Sequence, residues 1–230
     1  MKQEQVKEHF SRQADEYEKL MVKLVPQYLE QHQIIRSLLP NEDKHYRVLD
    51  LGCGNGILSE IVFQKLPHSY IVGFDLTENM LKAFEKKLSG YSGKFELKQG
   101  DFRTDSIGNG YDIIIAGLTL HHLTWKEIEK FYNTLYTSLN EGGLFIARDI
   151  IIDEDENVVK DQYIFWKEFI KSQGEEPEFW YSKHIEKDHP MTLTDHFAWL
   201  KKAGFSKAAC QWRLYNFAIT SAEKTKSKSL

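Results

Sequence analysis

The stretch V-L-D-L-G-C-G-N-G at residues 48–56, followed by I-L-S-E-I-V at 57–62, carries the most informative pattern in the chain. A short apolar strand runs into three glycines, Gly52, Gly54 and Gly56, and a helical pattern follows at once. Glycine lets the backbone turn tightly beside a ligand, and the first turn of a helix exposes unpaired N–H groups. A tight strand-to-helix turn alone would also use such glycines, so the motif needs support from elsewhere. It predicts a cradle for a nucleotide-like cofactor.

The spacing of the glycines selects among cofactors. A dinucleotide fingerprint has the form G-x-G-x-x-G, whose third glycine would stand at position 57, where this chain has Ile57. Asp50 lies two residues before Gly52, where its carboxylate would repel a pyrophosphate and attract a cationic amino group. The loop therefore favours a cofactor with an amino group over NAD.

Acidic residues end the next two predicted strands. Asp75 closes V-G-F-D, where a carboxylate can accept both ribose hydroxyls, as in other doubly wound nucleotide-binding folds. Asp101, followed by Phe102, is placed to accept from an adenine amino group beside an apolar face. Either acid alone could be an ordinary loop residue. Acids after three consecutive strands, with a glycine loop after the first, together indicate a nucleoside site.

Outward from this loop, short apolar runs alternate with helical patterns. Strands are predicted at 46–50, 70–74, 95–97, 111–116 and 144–151, with helices between them at 57–66, 77–88 and 124–139. Thr124 and Glu127 form a capping-box pattern at the start of the third helix. This order is typical of right-handed βαβ units around a parallel sheet. A helix at 193–203 and two strands, 205–212 and 214–220, are predicted to end the fold as an antiparallel edge pair.

The segments flanking this core are predicted to be helical. Residues 3–39 place Val6, Phe10 and Tyr17 on one apolar face, with a break near Pro26. We expect one domain over 1–230, made of a helical cap at 1–40, a cofactor-binding core at 44–152, a helical insert at 153–195, and a terminal helix and strand pair at 196–222. The insert is rich in large aromatic residues. We expect the cap and the insert to form a lid over the site.

Composition narrows the class of protein. Of 230 residues, 41% are hydrophobic and 28% charged, as in globular proteins. The sequence has no apolar run of about 18 residues and no signal-peptide pattern, so we expect a cytoplasmic protein without a membrane partner. Two cysteines offer no disulfide framework, and a net charge of −4 offers no global field for nucleic acid. The composition is also compatible with a homodimer.

With these motifs in place, residues 44–150 and the last strands resemble the class I S-adenosylmethionine-dependent methyltransferases. The resemblance implies a Rossmann-like, doubly wound α/β sheet of seven strands in the order 3-2-1-4-5-7-6, with strand 7 antiparallel. It also implies S-adenosyl-L-methionine as the cofactor. The cofactor-binding candidates are Asp50, Gly52, Cys53, Gly54, Gly56, Asp75, Leu76, Met80, Asp101, Phe102, Leu118 and Tyr17.

The loop after the fourth strand and the end of the fifth are candidates for the chemistry. Methyl transfer mainly needs positioning and, for some nucleophiles, removal of a proton. His121 and His122 follow the fourth strand and are the candidates for a general base or an orienting group. Arg148 ends the fifth strand and could hold an acceptor carboxylate or phosphate, or form an ion pair at the sheet edge. No histidine has a strong metal-ligand spacing, so we expect no metal.

The C-terminal part, with M-T-L-T-D and L-K-K-A-G-F, also resembles the carboxy-S-adenosylmethionine synthases of tRNA wobble-uridine modification. Those enzymes bind the added carboxylate with an arginine in the insert, whereas this chain reads Y-S-K-H-I-E-K-D-H-P at 181–190, without arginine. The leading hypothesis is therefore methyl transfer to a small or medium-sized organic acceptor. The alternatives are that synthase or a related tRNA-modification activity, and a non-catalytic cofactor-binding subunit.

Overall fold

A computed structural model describes residues 17–42 and 44–226. The parallel strands are β1 (Arg47–Leu51), β2 (Tyr70–Asp75), β3 (Phe95–Gln99), β4 (Tyr111–Gly117) and β5 (Leu139–Ile152). The edge pair is β7 (Phe205–Leu214) and β8 (Phe217–Lys224), and β6 (Met191–Thr192) is a two-residue strand. The helices between them are α3 (Ile57–Lys65), α4 (Glu78–Lys87), α5 (Trp125–Ser138), α6 (Glu156–Ser172), α7 (Pro177–Lys187) and α8 (Leu193–Ala203).

The strands form one sheet in the order β3-β2-β1-β4-β5-β8-β7. β8 runs antiparallel to both β5 and β7. This arrangement confirms the predicted α/β fold, the strand order and the antiparallel last strand. Because β1 to β5 are parallel, their carboxyl ends meet at one sheet edge, where the predicted functional residues also lie.

Helices cover both faces of the sheet. Along β1, Val48 belongs to the core under α2 (Tyr28–Leu38), α3 and α4, whereas Leu49 belongs to the core under α5 and α8. A strand buried on both faces needs apolar residues at consecutive positions, which explains the run V-L-D-L. Each fully buried aliphatic side chain contributes about 1.5–3 kcal/mol through its removal from water. The site is therefore built on the rigid centre of the sheet.

The cap and the insert meet at the carboxyl edge. Helix α1 is described over 17–24 and is separated from α2 by a break at 25–27, where Gln27 adopts a left-handed φ of 53°. Trp166 Nε1 of α6 donates to Leu24 O at 2.8 Å, and Lys23 Nζ lies 2.7 Å from Glu175 Oε1. These contacts join α1 to the insert beside the sheet edge. The predicted positions Val6 and Phe10 lie outside the described residues.

Two details differ from the predicted strands. The insert returns through β6, which pairs parallel with β5 at Ile151–Met191, so the sheet has eight strands rather than seven. β5 begins at Leu139, before the predicted residue 144, because an irregularity in its pairing with β4 lets the polar N-E-G-G stretch continue the strand. None of the helices within 17–42 and 44–226 is long and apolar enough to cross a membrane.

Candidate functional site

A cavity of about 440 Å³, here called the first cavity, opens at the carboxyl edge of β1, β2 and β4. Ten sequence-predicted residues line it: Tyr17, Gly52, Gly54, Asp75, Leu76, Met80, Asp101, Phe102, Leu118 and His122. Five further residues that line this cavity were not predicted from the sequence: Thr77, Arg103, Gly117, Thr119 and Lys187. The predicted residues Asp50, Cys53, Gly56, His121 and Arg148 lie outside its lining. The fold thus brings most, but not all, of the predicted set together.

The glycine loop has the backbone shape that its sequence predicts. Gly52 and Gly54 have φ values of +64° and +51°, in the left-handed region that side chains disfavour. A Cβ on Gly52 would also lie 2.2 Å from Thr119 Oγ1, so this position has no room for a side chain. Asp75 Oδ2 accepts from Gly54 N at 2.9 Å and ties the loop to the end of β2. The ribose candidate therefore also holds the loop in place.

Asp50 lies beneath the loop rather than in the first cavity. Its side chain is 1% exposed, and its Oδ2 accepts from Ser59 N at 3.1 Å and Ser59 Oγ at 2.6 Å in the first turn of α3. Burial raises the pKa of this carboxyl to about 7, against the lowering effect of the two bonds from Ser59. Sequence reasoning missed this bond to α3.

Asp101 reaches the first cavity but already has a cationic partner. Arg103 Nε lies 2.9 Å from Asp101 Oδ1, and Arg103 Nη2 lies 2.6 Å from Asp101 Oδ2. The hydrogen bonds from Arg103 lower the pKa of the Asp101 carboxyl, against a small opposing effect of burial. A ligand amino group there would share the carboxylate with a guanidinium, so Asp101 and Arg103 must be treated as one unit.

Arg148 is a buried cation with unpaired donors. It is 3% exposed, and neither its Nε nor its Nη1 has a hydrogen-bond partner. Its guanidinium stacks over the ring of Tyr28, with Cζ 4.7 Å from the ring centroid. It lines a small cavity of about 30 Å³ with Asp50 and the loop residues Gly52 and Gly54. A buried guanidinium with free N–H groups is suited to a carboxylate.

Cys53 and Gly56 have structural surroundings within the loop. Burial raises the pKa of the Cys53 thiol well above its usual value, which keeps the sulfur protonated and unreactive. A Cβ on Gly56, which has a φ of +85°, would lie 2.7 Å from the ring of Phe84. Close packing of the loop against Phe84 of α4 therefore requires glycine at this position.

The two histidines after β4 face different surroundings but share one acid. The side chain of His121 is 5% exposed, and its Nδ1 is hydrogen-bonded to Asp149 Oδ1. The side chain of His122 is 54% exposed, and its Nδ1 lies 3.0 Å from Asp188 Oδ1. Asp188 Oδ1 also lies 3.8 Å from His121 Nε2. Asp188 comes from the end of the insert, so the insert completes this cluster.

The histidines and acids of this cluster shift one another's pKa values. Burial opposes a positive charge on His121, but Asp149 and then Asp188 outweigh it and raise the pKa of this imidazole. Burial likewise opposes ionisation of Asp188, but hydrogen bonds from His122 and His184 hold the pKa of its carboxyl well below the usual range. Asp188 is therefore an ionised acceptor that can stabilise a protonated histidine beside it.

The same cluster is the place where the described residues could hold a metal ion. One ligand atom each from His121, His122 and Asp188 lie within 4.8 Å of one another. Two imidazoles and a carboxylate are a ligand set used by transition metals. The Nδ1 atoms of His121 and His122 already have carboxylate partners, Asp149 and Asp188, and the absence of a metal stays a prediction. Sequence spacing could not reveal the cluster, because Asp188 is 66 residues from His122.

A second cavity, of about 280 Å³, adjoins the first. Both are lined by Tyr17, Leu118, His122 and Lys187. Apolar side chains from α1, α6 and β8 also line it, among them Leu24, Trp166 and Phe217. One cavity on the glycine loop and another, more apolar one beside it suit a cofactor and an acceptor.

Comparison with known proteins agrees with this geometry. Residues 48–143, from β1 to the first part of β5, match the family described as Methyltransferase domain. The chain therefore carries a methyltransferase domain over these residues. The cofactor of this enzyme is S-adenosyl-L-methionine, and its fold and strand order are those that the sequence resemblance implied.

Relatives and solved structures extend the likeness beyond the domain. The carboxy-S-adenosyl-L-methionine synthase of Nautilia profundicola is 26% identical over 92% of each chain. An O-methyltransferase family 2 protein from Planctomyces limnophilus, solved in complex with apigenin, is 19% identical with a TM-score of 0.66. Human N-acetylserotonin methyltransferase, solved in complex with S-adenosylmethionine, is 18% identical with a TM-score of 0.62. Each alignment covers 92% of this chain but only 62% and 57% of those two longer structures, and it shows the fold alone.

Proposed function

We propose that the enzyme transfers the methyl group of S-adenosylmethionine to a small or medium-sized organic acceptor bound in the second cavity. The observation that carries this proposal is that the two cavities share Tyr17, Leu118, His122 and Lys187, so a donor in one faces an acceptor in the other. In-line displacement moves the methyl group to the acceptor atom, while sulfur keeps the electron pair of the broken C–S bond. S-adenosylhomocysteine is released. The protein supplies alignment and a place for the acceptor proton.

In this proposal, the first cavity holds the adenosine part of the cofactor, and the small cavity holds its methionine part. Asp75 accepts from the ribose hydroxyls, and Leu76, Met80 and Phe102 contact the adenosine. Gly52 and Gly54 allow the methionine portion to approach the backbone, with its ammonium toward Asp50. Arg148, the only arginine among the described residues that line the small cavity, binds the methionine carboxylate. This reassigns Arg148 from the acceptor to the cofactor, because its free N–H groups lie beside the glycine loop.

We propose His122 as the group that receives the acceptor proton. It lines both cavities, and its Nδ1 is held by Asp188, which leaves Nε2 for a proton. An ionised carboxylate beside an imidazole stabilises the imidazolium that forms. His121 is enclosed between Asp149 and Asp188, and we assign it a positioning role through Asp188.

A second candidate function is the synthesis of carboxy-S-adenosylmethionine, favoured by the relatives that match over nearly the whole chain. The insert contains no arginine, and Lys183 and Lys187 of α7 are the cations at the second cavity. Mass spectrometry of the cofactor released from purified protein separates the two activities. A carboxylated cofactor would favour the synthase, and unmodified S-adenosylmethionine or S-adenosylhomocysteine would favour methyl transfer.

The test of methyl transfer is formation of S-adenosylhomocysteine from S-adenosylmethionine with a mixture of small organic acceptors. Asp75→Ala should lower this activity at limiting cofactor by weakening cofactor binding. Binding of S-adenosylhomocysteine without turnover of any acceptor would instead identify a non-catalytic subunit. Sedimentation of the same preparation tests the homodimer that the sequence leaves open.

A further inference from the structure

The wall of the second cavity is mainly apolar and aromatic. Trp166 satisfies its indole N–H on Leu24 O, which leaves its ring as an apolar surface. Phe217 lies against Trp166 with ring centroids 6.0 Å apart, and Trp180 also lines the cavity. A volume of about 280 Å³ lies at the small end of the range for ligand pockets. The cavity therefore suits a compact, flat, apolar group.

Two lysines stand at the same cavity. Lys183 and Lys187 are four residues apart in α7 and so share one face of the helix. Neither forms an ion pair within the part of the chain that the structure describes. Lys183 Nζ lies 4.2 Å from the ring centroid of Phe179 and 5.0 Å from that of Trp180. Both ammonium groups are free to bind an anion.

One acid, Asp188, also lines this cavity and offsets only part of the charge of the two lysines. Its carboxylate oxygens are already engaged, because they accept hydrogen bonds from His122 at 3.0 Å and from His184 at 2.8 Å. In the first cavity, by contrast, Asp101 is paired with Arg103, and Asp75 is a further carboxylate. The second cavity thus has two ammonium groups for one carboxylate.

We propose that the acceptor is a compact ring compound that carries a carboxylate. Its ring lies between Trp166, Phe217 and Trp180, its carboxylate meets Lys183 and Lys187, and the atom that accepts the methyl group points toward His122. This assignment rests on the proposed function, because it treats the second cavity as the acceptor site. It excludes cationic amines, which the two lysines would repel.

The test compares three probes that share an indole ring and differ in the charge of a short side chain: indole-3-acetate, indole-3-ethanol and tryptamine. Calorimetry is run on the full chain saturated with S-adenosylhomocysteine, which occupies the cofactor site. We expect indole-3-acetate to bind about tenfold more tightly than the neutral alcohol, as charge-assisted hydrogen bonds predict, and tryptamine to bind least. Equal affinities, tightest binding of tryptamine, or no binding of any probe would overturn the proposal.

Substitutions test which side chains cause the preference for the carboxylate probe. The double variant Lys183→Met with Lys187→Met should bind indole-3-acetate and indole-3-ethanol equally. The control variant Lys171→Met, on α6, should still bind indole-3-acetate more tightly. Trp180→Ala should weaken all three probes, whereas Phe165→Ala should not, because the half-exposed Phe165 ring stacks on Tyr215 away from the cavity. If the double variant still prefers indole-3-acetate, the carboxylate binds at another surface and the proposal is overturned.

The outcomes also separate this inference from the proposed function. If S-adenosylhomocysteine binds and acceptors are methylated, but the three probes bind alike, the ring-acid assignment fails and methyl transfer stands. If no acceptor mixture yields S-adenosylhomocysteine from S-adenosylmethionine while indole-3-acetate binds selectively, the cavity is an acid-binding site and methyl transfer fails.

Discussion

Replacing Arg148 with methionine should weaken the binding of S-adenosylhomocysteine without harming the fold. The ligand-free protein keeps Nε and Nη1 of this 3%-exposed guanidinium without partners, so a methionine carboxylate would receive bonds that the protein does not otherwise use. Hydrogen bonds to a charged group contribute about 1.5–3 kcal/mol. Arg148→Met should therefore raise the Kd for S-adenosylhomocysteine by about 10- to 150-fold.

A thermodynamic cycle isolates the contact with the carboxylate. Methylthioadenosine keeps the nucleoside and thioether but lacks the amino-acid portion, so Arg148→Met should leave its Kd almost unchanged. Calorimetry with both ligands on both proteins yields the coupling energy directly. Equal weakening of the two ligands would refute the assignment, because the substitution would then have disturbed the site as a whole.

Controls distinguish binding from stability. Methionine is apolar and of similar length, so it should keep contact with Tyr28, and removing a buried charge that lacks a partner need not destabilise the fold. Thermal unfolding of the ligand-free variant should therefore stay close to that of the unsubstituted enzyme. Arg213→Met, at an exposed ion pair with Asp153 Oδ2 at 2.9 Å, should leave both ligands unaffected.

Three further substitutions test other parts of the site. Because burial raises the pKa of Asp50 to about 7, its carboxylate ionises as the pH rises from about 6 to 8, so affinity for the ammonium-bearing S-adenosylhomocysteine should rise over that range in calorimetry. Asp50→Asn should remove this dependence, and a flat profile for the unsubstituted enzyme would contradict the role. Asp75→Ala should weaken S-adenosylhomocysteine by about 1–3 kcal/mol through the loss of hydrogen bonds to ribose, and an unchanged Kd would leave Asp75 as a loop residue only. His122→Ala should lower kcat and leave cofactor affinity intact, whereas full activity in this variant would remove His122 from the chemistry.

The parts of the site that sequence reasoning predicted are those set by local patterns. A strand followed by G-x-G-x-G determines where the loop lies, and the alternation of strands and helices places Asp75 and Asp101 on the same edge. Thr124 and Glu127 likewise form their hydrogen bond within one helical turn, at 2.8 Å from Thr124 N to Glu127 Oε2. Such features depend on neighbours in the sequence, and the fold changes them little.

The parts that sequence reasoning missed depend on partners brought together by the fold. Arg148 was expected to hold an acceptor or an ion pair, but its surroundings include Tyr28 of α2, which no local pattern relates to β5. The acid shared by the two histidines comes from the end of the insert. Asp101 was expected to accept from an adenine amino group, but Arg103, two residues later, donates to both of its carboxylate oxygens. The sequence therefore predicted where the helices and strands lie better than it predicted which side chains pair.

Leu118 shows how the backbone joins the two halves of the site. It follows Gly117 at the end of β4 with a φ of +55°, a conformation that is unfavourable for a leucine. Its N–H donates to Arg148 O at 2.7 Å, and a Cβ on Gly117 would lie 2.6 Å from Leu58 Cδ1, so β5 and α3 together hold the turn. The turn directs the chain away from the sheet toward His122, and Leu118 itself lines the first, second and small cavities. The strained residue thus lies where the three cavities adjoin, and its N–H bond joins the end of β4 to the backbone of Arg148 in β5.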